Sequence, residues 1–144
     1  HGIIKAGDIQ IMSAGSGILH SEANASATDP LTLFQIWVFP KLKNINPRYD
    51  QRSFDIQDRI NKWQIVVSPL EQDNALWINQ DARFALTKLE AGKSIDYING
   101  LNSGNFGTGN SDYSGFSTTK IIGNINTKSS GCIYCNCWTC YTWN

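Results

Sequence analysis

Residues 7–24 read GDIQIMSAGSGILHSEAN, and this stretch decides the fold prediction. Residues 9–11 alternate apolar and polar side chains, which is typical of a half-buried strand. Residues 13–17 are small and predict a turn. Residues 18–22 then predict a second strand that returns from the turn. Two short strands joined by a glycine-containing turn indicate β structure from the outset.

The remainder of the first 97 residues repeats this pattern. Strand signals recur at roughly 8–12-residue spacing, and no long segment has helical periodicity, which indicates an all-β barrel or sandwich. Residues 55–61 predict one short helix, and residues 41–51 predict a long connection because they contain two asparagines and a proline. Further strands are predicted at residues 31–39, 63–67, 75–79, 84–89 and 94–98.

Composition and charge exclude several classes of function. The 144 residues carry no net charge, with 12 basic and 12 acidic side chains. This balance gives no electrostatic basis for binding nucleic acid or an anionic membrane. No apolar run approaches the length of about 20 residues that spans a bilayer. The chain begins at His1 and its only methionine is Met12, so we expect an N-terminal part to be missing.

The last third of the chain differs from the rest. Of all the charged residues, only Asp112, Lys120 and Lys128 lie in residues 98–144, a region rich in glycine, asparagine, serine and threonine. We therefore expect an atypical tail, either disordered or the product of a frame-shifted translation.

The four cysteines all belong to this tail, so none can cross-link residues 1–131, and a reduced, cytoplasmic location is expected. Their spacing, C-x₂-C-x-C-x₂-C, suits a soft metal such as zinc or Cu(I). A structural zinc site, however, normally has a longer loop between its two cysteine pairs. The cysteines are Cys132, Cys135, Cys137 and Cys140.

His20 and Glu22 are the candidate metal ligands. Two residues apart on a predicted strand, they would share one face, with Cα atoms roughly 6–7 Å apart. Imidazole with carboxylate suits Fe, Mn, Ni, Cu or Zn. The ordinary alternative is a surface pair or a buried histidine with satisfied hydrogen bonds. Two ligands are also fewer than the three or so of a catalytic site, and His1 is poorly placed to add another.

The same residues carry a resemblance to a known family. Residues 17–24 resemble the closing half of the second cupin motif: glycine, two residues, histidine, three residues, asparagine. The longer stretch 7–22 resembles the signature of the pirin family. Residues 33–40, 46–52 and 81–86 resemble later segments of that family in the expected order. The resemblance covers residues 1–97 and points to the bacterial pirin-like proteins named as quercetin 2,3-dioxygenases.

This resemblance implies an all-β bicupin, made of two cupin barrels of the double-stranded β-helix, or jelly-roll, type. Residues 1–50 would be the second half of the N-terminal barrel with the linker, and residues 51–97 the opening of the C-terminal barrel. The chain would thus be a partial bicupin. Residues 98–144 have no counterpart in the resemblance.

The resemblance also implies one divalent transition metal, usually iron, held by three histidines and one glutamate. His20 and Glu22 match the third histidine and the glutamate. The other two histidines of the family lie in a His-Pro-His segment that this chain lacks. We therefore expect the chain alone not to retain the metal.

The implied function is a metal-dependent dioxygenase that opens a flavonol such as quercetin with O₂, with Glu22 as catalytic proton acceptor, metal ligand, or both. Its partners would be an aromatic small molecule and O₂, with no nucleic acid and no membrane. Asn24 would position a ligand or simply lie in a surface turn. The alternatives are a metal-containing regulatory module that binds proteins without enzymatic activity, and an inactive truncated product.

Overall fold

The computed structural model describes residues 2–31 and 33–98, together with the strand backbones of residues 104–109, 121–122, 131–136 and 140–143. The elements described are β strands and one 3₁₀ helix, which confirms the all-β prediction. In chain order they are β1 (Asp8–Ser13), β2 (Phe34–Trp37), β3 (Arg48–Ser53), the 3₁₀ helix (Ile56–Arg59), β4 (Gln64–Ser68), β5 (Leu76–Trp77), β6 (Phe84–Leu86), β7 (Tyr97–Ile98), β8 (Gly104–Gly109), β9 (Ile121–Ile122), β10 (Gly131–Asn136) and β11 (Cys140–Trp143).

The strands form two main sheets. The first has the order β2-β11-β1-β3, the second has the order β5-β4-β6-β10-β8, and β7 pairs with β9 separately. β1 is a central strand, antiparallel to β3 on one side and parallel to β11 on the other. The β1–β3 register places Asp8 opposite Ser53 and Ser13 opposite Arg48. Both edges of β1 are therefore paired along Ile9–Ile11.

One apolar core joins the two sheets. Ile9 and Ile11 of β1 contact a cluster supplied mainly by β4, β5 and β6. Each large apolar side chain buried in this way contributes about 1.5–3 kcal/mol. The core draws on both of the ranges that were assigned to separate barrels, and the division at residue 50 stays a prediction. The cluster comprises Ile9, Ile11, Val66, Val67, Leu76, Ile78, Ala82, Phe84 and Leu86.

Most predicted elements of residues 1–98 are confirmed. Each of the strand predictions at residues 9–11, 31–39, 63–67, 75–79, 84–89 and 94–98 overlaps a strand of the structure. The predicted short helix is the 3₁₀ helix, and its first turn is capped because the Asp55 side chain accepts a hydrogen bond from the Gln57 amide at 2.9 Å.

Two predictions are wrong. Residues 18–22 form no strand, because both edges of β1 are already paired and offer this segment no ladder. His20 and Glu22 therefore do not share the face of a strand. The connection predicted over residues 41–51 ends at Arg48, where β3 begins. β3 has the sequence RYDQRS, which lacks the alternation of apolar and polar residues that would have predicted a strand.

Most of the predicted atypical tail lies outside the described residues, as does the side-chain chemistry of its four cysteines. The backbone of β10 joins the second sheet and that of β11 joins the first. Among the helices that the structure describes, none has the length and apolar character needed to cross a membrane.

Candidate functional site

β1 is buried on both faces, and the two faces differ in chemistry. Ile9 and Ile11 point into the apolar core. The alternate positions carry Asp8 and Gln10, whose exposed fractions are only 5% and 2%. Buried carboxylates and amides are almost always hydrogen-bonded. The polar face of β1 must therefore meet polar partners, and these partners lead to the candidate ligand Glu22.

Asp8 is the anchor of this polar face. Its Oδ1 accepts a hydrogen bond from the Ser53 hydroxyl at 2.5 Å, and its Oδ2 accepts from Gln51 Nε2 at 3.0 Å. Oδ2 also accepts from the Lys5 amide at 2.9 Å, closing a turn in which Gly7 has a φ of 90°. Burial alone would raise the pKa of Asp8, but these hydrogen bonds outweigh it and lower the pKa below 3.8.

The hydrogen-bonded side chains beside Asp8 extend to Gln51, Tyr49 and Gln10. Gln10 lies opposite Gln51 in the β1–β3 register. The Tyr49 hydroxyl donates to Gln51 Oε1 at 2.6 Å and lies 3.3 Å from Gln10 Oε1. Burial, and then the nearby carboxylates of Asp50, Asp8 and Glu22, raise the pKa of Tyr49 above 10.0, so the hydroxyl keeps its proton at neutral pH.

Glu22 closes the row. Gln10 Nε2 donates to Glu22 Oε1 across 3.5 Å, the longest contact in the series. We call the connected side chains the polar row: Asp8, Gln51, Tyr49, Gln10 and Glu22. The exposed loop that leaves β1 is thereby linked, through a buried amide, to the centre of the first sheet.

The structure places both sequence-predicted ligands in the loop between β1 and β2. His20 and Glu22 are both exposed. Asn24 holds its own loop together, because its Nδ2 donates to the Asp29 carbonyl at 2.7 Å and its Oδ1 accepts from the Ser26 amide at 3.0 Å. That arrangement matches the surface-turn alternative for Asn24. His1 lies outside the described residues.

The donor types of this loop fit a divalent transition metal, but their number does not complete a site. Imidazole and carboxylate are suitable ligands for iron and its neighbours. Across the described residues, no group of three histidine, cysteine, aspartate or glutamate side chains is placed to hold a metal ion. His20 and Glu22 thus fit part of a coordination shell.

Gln10, Tyr49 and Gln51 are the residues that sequence reasoning missed. One signal was available: Gln10 is a polar residue between two apolar ones, Ile9 and Ile11, close to the glycine-containing turn. Tyr49 and Gln51 gave none, because their role depends on the pairing of β3 with β1.

A separate open cleft of about 500 Å³ lies beside the end of β3, the 3₁₀ helix and the start of β4. Neither His20 nor Glu22 lines it. Its walls combine aromatic rings with charges of both signs, and they include Arg52, Phe54, Asp58, Lys62 and Trp63.

Comparison with known proteins relates two segments of the chain to known families. Residues 1–38, which include β1, His20 and Glu22, match the family described as Pirin. Residues 65–106 match the family described as the quercetinase C-terminal cupin domain. Over these two segments the chain resembles proteins of the pirin family. Its all-β fold is therefore of the cupin type, and the family resemblance seen in the sequence is confirmed.

Relatives within the pirin family are substantially similar but longer. A protein named "Quercetin 2,3-dioxygenase" from Escherichia coli K12 is 48% identical over 90 residues, which cover 60% of this chain and 38% of the relative. A "Pirin-like protein" from Caulobacter vibrioides is 40% identical over 96 residues, or 66% of this chain and 41% of the relative. The chain thus spans about two fifths of these relatives. No solved structure matches the chain.

Proposed function

We propose that this chain forms part of a metal-dependent dioxygenase that opens a flavonol such as quercetin with O₂. The observation that carries the proposal is the match of residues 1–38, which contain His20 and Glu22, combined with 48% identity to a relative named quercetin 2,3-dioxygenase. The second match, over residues 65–106, points to the same class of enzyme. A cytoplasmic location is part of the proposal.

In this proposal His20 and Glu22 are two ligands of one divalent metal, with iron as the first choice and Mn, Ni, Cu or Zn as the other metals that the donors suit. When bound, such a metal would supply Lewis acidity for the reaction of a flavonol with O₂, and Fe, Mn, Ni or Cu would add a redox capacity that Zn lacks. The remaining ligands would come from outside the described residues.

Glu22 is also the proposed proton acceptor for the flavonol hydroxyl. Its Oε1 faces Gln10 Nε2, which leaves Oε2 to receive a proton from a substrate. The exposed loop lets a planar aromatic molecule approach this oxygen. A carboxylate held at one oxygen and open at the other is suited to general-base catalysis.

The proposed domain division places residues 1–50 in the closing half of a first cupin barrel with its linker, and residues 51–97 in the opening of a second. Residues 98–144 remain an atypical tail in this proposal. The connection between β2 and β3, residues 38–47, would then form the passage between the barrels.

One observation favours a second candidate, a regulatory module that binds other proteins. Trp37 and Phe39, at the end of β2, are 73% and 90% exposed. Large exposed aromatic side chains are enriched at protein interfaces. The two candidates make opposite predictions for oxygen consumption.

The test measures O₂ consumption by the 144-residue chain with quercetin and excess Fe(II), Mn(II), Ni(II), Cu(II) or Zn(II) in turn. Because the two ligands His20 and Glu22 are not expected to retain a metal by themselves, the metal is kept in excess, and under this condition we expect consumption above that of metal and quercetin alone. Glu22→Gln should abolish the excess, because the amide neither accepts the proton nor binds the metal as an anion. Glu71→Gln, at an exposed carboxylate in the β4–β5 turn, is the matched control and should leave it unchanged.

The E. coli relative serves as the reference enzyme in the same assay. Consumption by that relative but by none of the metal-loaded forms of this chain would reject the proposal in favour of the regulatory module. An inactive chain that also binds no metal and unfolds without cooperativity would identify an inactive product.

A further inference from the structure

Gln10 is a buried amide in the middle of a central strand. It is 2% exposed, and both edges of β1 are occupied by other strands. Leaving such an amide without partners would cost about 1–3 kcal/mol. Its two side-chain partners are Glu22 on the exposed loop and Tyr49 on β3. The burial of Gln10 is therefore coupled to the position of the proposed catalytic carboxylate.

The orientation of the row follows from its fixed end. Gln51 Nε2 faces two acceptors, Asp8 Oδ2 and the Ile3 carbonyl, both at 3.0 Å. Gln51 Oε1 must then turn toward Tyr49, and at 2.6 Å it takes the hydroxyl proton. The carboxylate of Asp8 thus determines the direction of the hydrogen bond from Tyr49.

Glu22 determines the orientation of Gln10 from the other end. A reversed Gln10 amide would bring its oxygen toward the Glu22 carboxylate, so that two acceptors would face each other. The observed orientation presents Nε2 to Glu22, and Oε1 lies 3.3 Å from the Tyr49 oxygen, whose single proton is directed mainly to Gln51 at 2.6 Å. A hydrogen bond to an ionised group is stronger than one between neutral groups, which favours this orientation.

We propose that Gln10 is the positioning residue for Glu22, holding one oxygen of its carboxylate so that the other faces outward, with Tyr49 and Gln51 supporting the amide from behind. This inference rests on the proposed function, in which Glu22 is the working carboxylate. The residues that position metal-binding groups typically change metal affinity about 10- to 100-fold when they are replaced.

The first measurement tests the contact itself. In the ¹⁵N-labelled 144-residue chain, the side-chain amide resonances of Gln10 are compared between the unaltered chain, Glu22→Gln and the control Glu71→Gln. We expect Glu22→Gln to shift the Gln10 resonances and Glu71→Gln to leave them in place. Unshifted resonances in both variants would overturn the inference. Only exposed side chains are altered, so this arm does not depend on a core variant folding.

The second measurement tests the consequence for metal binding. Mn(II) affinity, read from the EPR signal of free Mn(II), is compared for the unaltered chain, Gln10→Met and the control Ile11→Val. Methionine matches glutamine in shape but cannot donate to Glu22, so we expect affinity to fall about tenfold or more. Ile11→Val makes a small change on the opposite face of β1 and should stay within about twofold.

The outcomes separate the two proposals. If Glu22→Gln weakens Mn(II) binding while Gln10→Met behaves like Ile11→Val, the positioning role is refuted and the proposed function stands. If the unaltered chain binds Mn(II) no better than Glu22→Gln, the ligand role of Glu22 is refuted, and the resonance shifts alone decide whether Gln10 positions it.

Discussion

Gly15 closes the turn that leads from β1 into the loop carrying His20 and Glu22, and its replacement by alanine is the sharpest test of the fold. Gly15 has a φ of 54°, in the left-handed region that favours glycine. A Cβ atom there would lie 2.1 Å from the Ile45 carbonyl oxygen and 2.8 Å from the Pro47 nitrogen. Both obstacles are backbone atoms, which cannot rotate away as a side chain can.

The expected loss has two parts. The left-handed conformation costs a non-glycine residue roughly 1–2 kcal/mol. Ordinary contact begins at 3.4 Å, so the backbone at Ile45 would have to retreat by about 1.3 Å from its 2.1 Å position. Overpacking of this kind adds about 1–3 kcal/mol. Gly15→Ala should therefore lower the free energy of unfolding by roughly 2–5 kcal/mol.

Gly92 provides the matched control, because it has a φ of 73° and a Cβ atom added there would meet nothing within 4 Å. Gly92→Ala should lose only the conformational part, about 1–2 kcal/mol. Urea unfolding of both variants, followed by tryptophan fluorescence, measures the difference. Equal losses would refute the predicted clash between the turn and residues 45–47.

Two further predictions concern buried polar contacts. Asp8→Asn should lower the free energy of unfolding by about 2–3 kcal/mol at pH 7, because an amide has only one acceptor oxygen for the three donors around it. The control Asp81→Asn should lower it by under about 1 kcal/mol, because the ion pair of Asp81 with Lys41 is exposed. The pKa of Asp8 is lowered on folding. The ionised side chain therefore stabilises the fold fully above pH 3.8, and this stabilisation is lost as the pH falls through the folded-state value. The difference in free energy of unfolding between Asp8→Asn and the unaltered chain should therefore narrow below pH 3.8, as measured by unfolding at a series of acidic pH values. Arg48→Lys should lower the free energy of unfolding by about 1–2 kcal/mol in urea. The Arg48 guanidinium donates to the Trp77 carbonyl and also lies over the Trp77 ring, 5.1 Å from its centroid, and lysine cannot make both contacts. An unchanged urea midpoint would contradict this.

The sequence predicts those parts of the fold in which burial leaves a local pattern. β1, β4 and β6 are recognisable because apolar side chains must face the core. β3 is not, because RYDQRS is held by pairing with β1 and by contacts to Asp8 rather than by apolar burial. Residues 18–22 were predicted to be a strand because they contain apolar residues, but these do not all reach the core. The apolar Leu19 is fully exposed, and the neighbouring strand β1 is already paired on both sides along Ile9–Ile11.

The candidate site divides along the same line. His20 and Glu22 could be selected from the sequence, because they are two residues apart and lie in a stretch that resembles a cupin motif. The residues behind Glu22 could not be selected in this way, because Gln10 lies beside Tyr49 and Gln51 only through the β1–β3 register. Register between strands separated by a long loop depends on the whole sheet. No local pattern in either strand specifies it.

The contacts of the polar row are short between Asp8 and Tyr49 and long between Tyr49 and Glu22. Around Asp8 they measure 2.5, 2.9 and 3.0 Å and Tyr49 to Gln51 is 2.6 Å, whereas Tyr49 to Gln10 is 3.3 Å and Gln10 to Glu22 is 3.5 Å. Short charge-assisted hydrogen bonds are the strong ones, so the row is rigid where it joins the sheet and loose where it meets the loop. In the proposed function Glu22 takes up a proton at Oε2 while Gln10 holds Oε1, and a long contact at Oε1 allows the carboxylate to adjust as it does so. Tightening the last contact should therefore slow the reaction even as it orders the loop, whereas loosening the Asp8 end should destabilise the fold first.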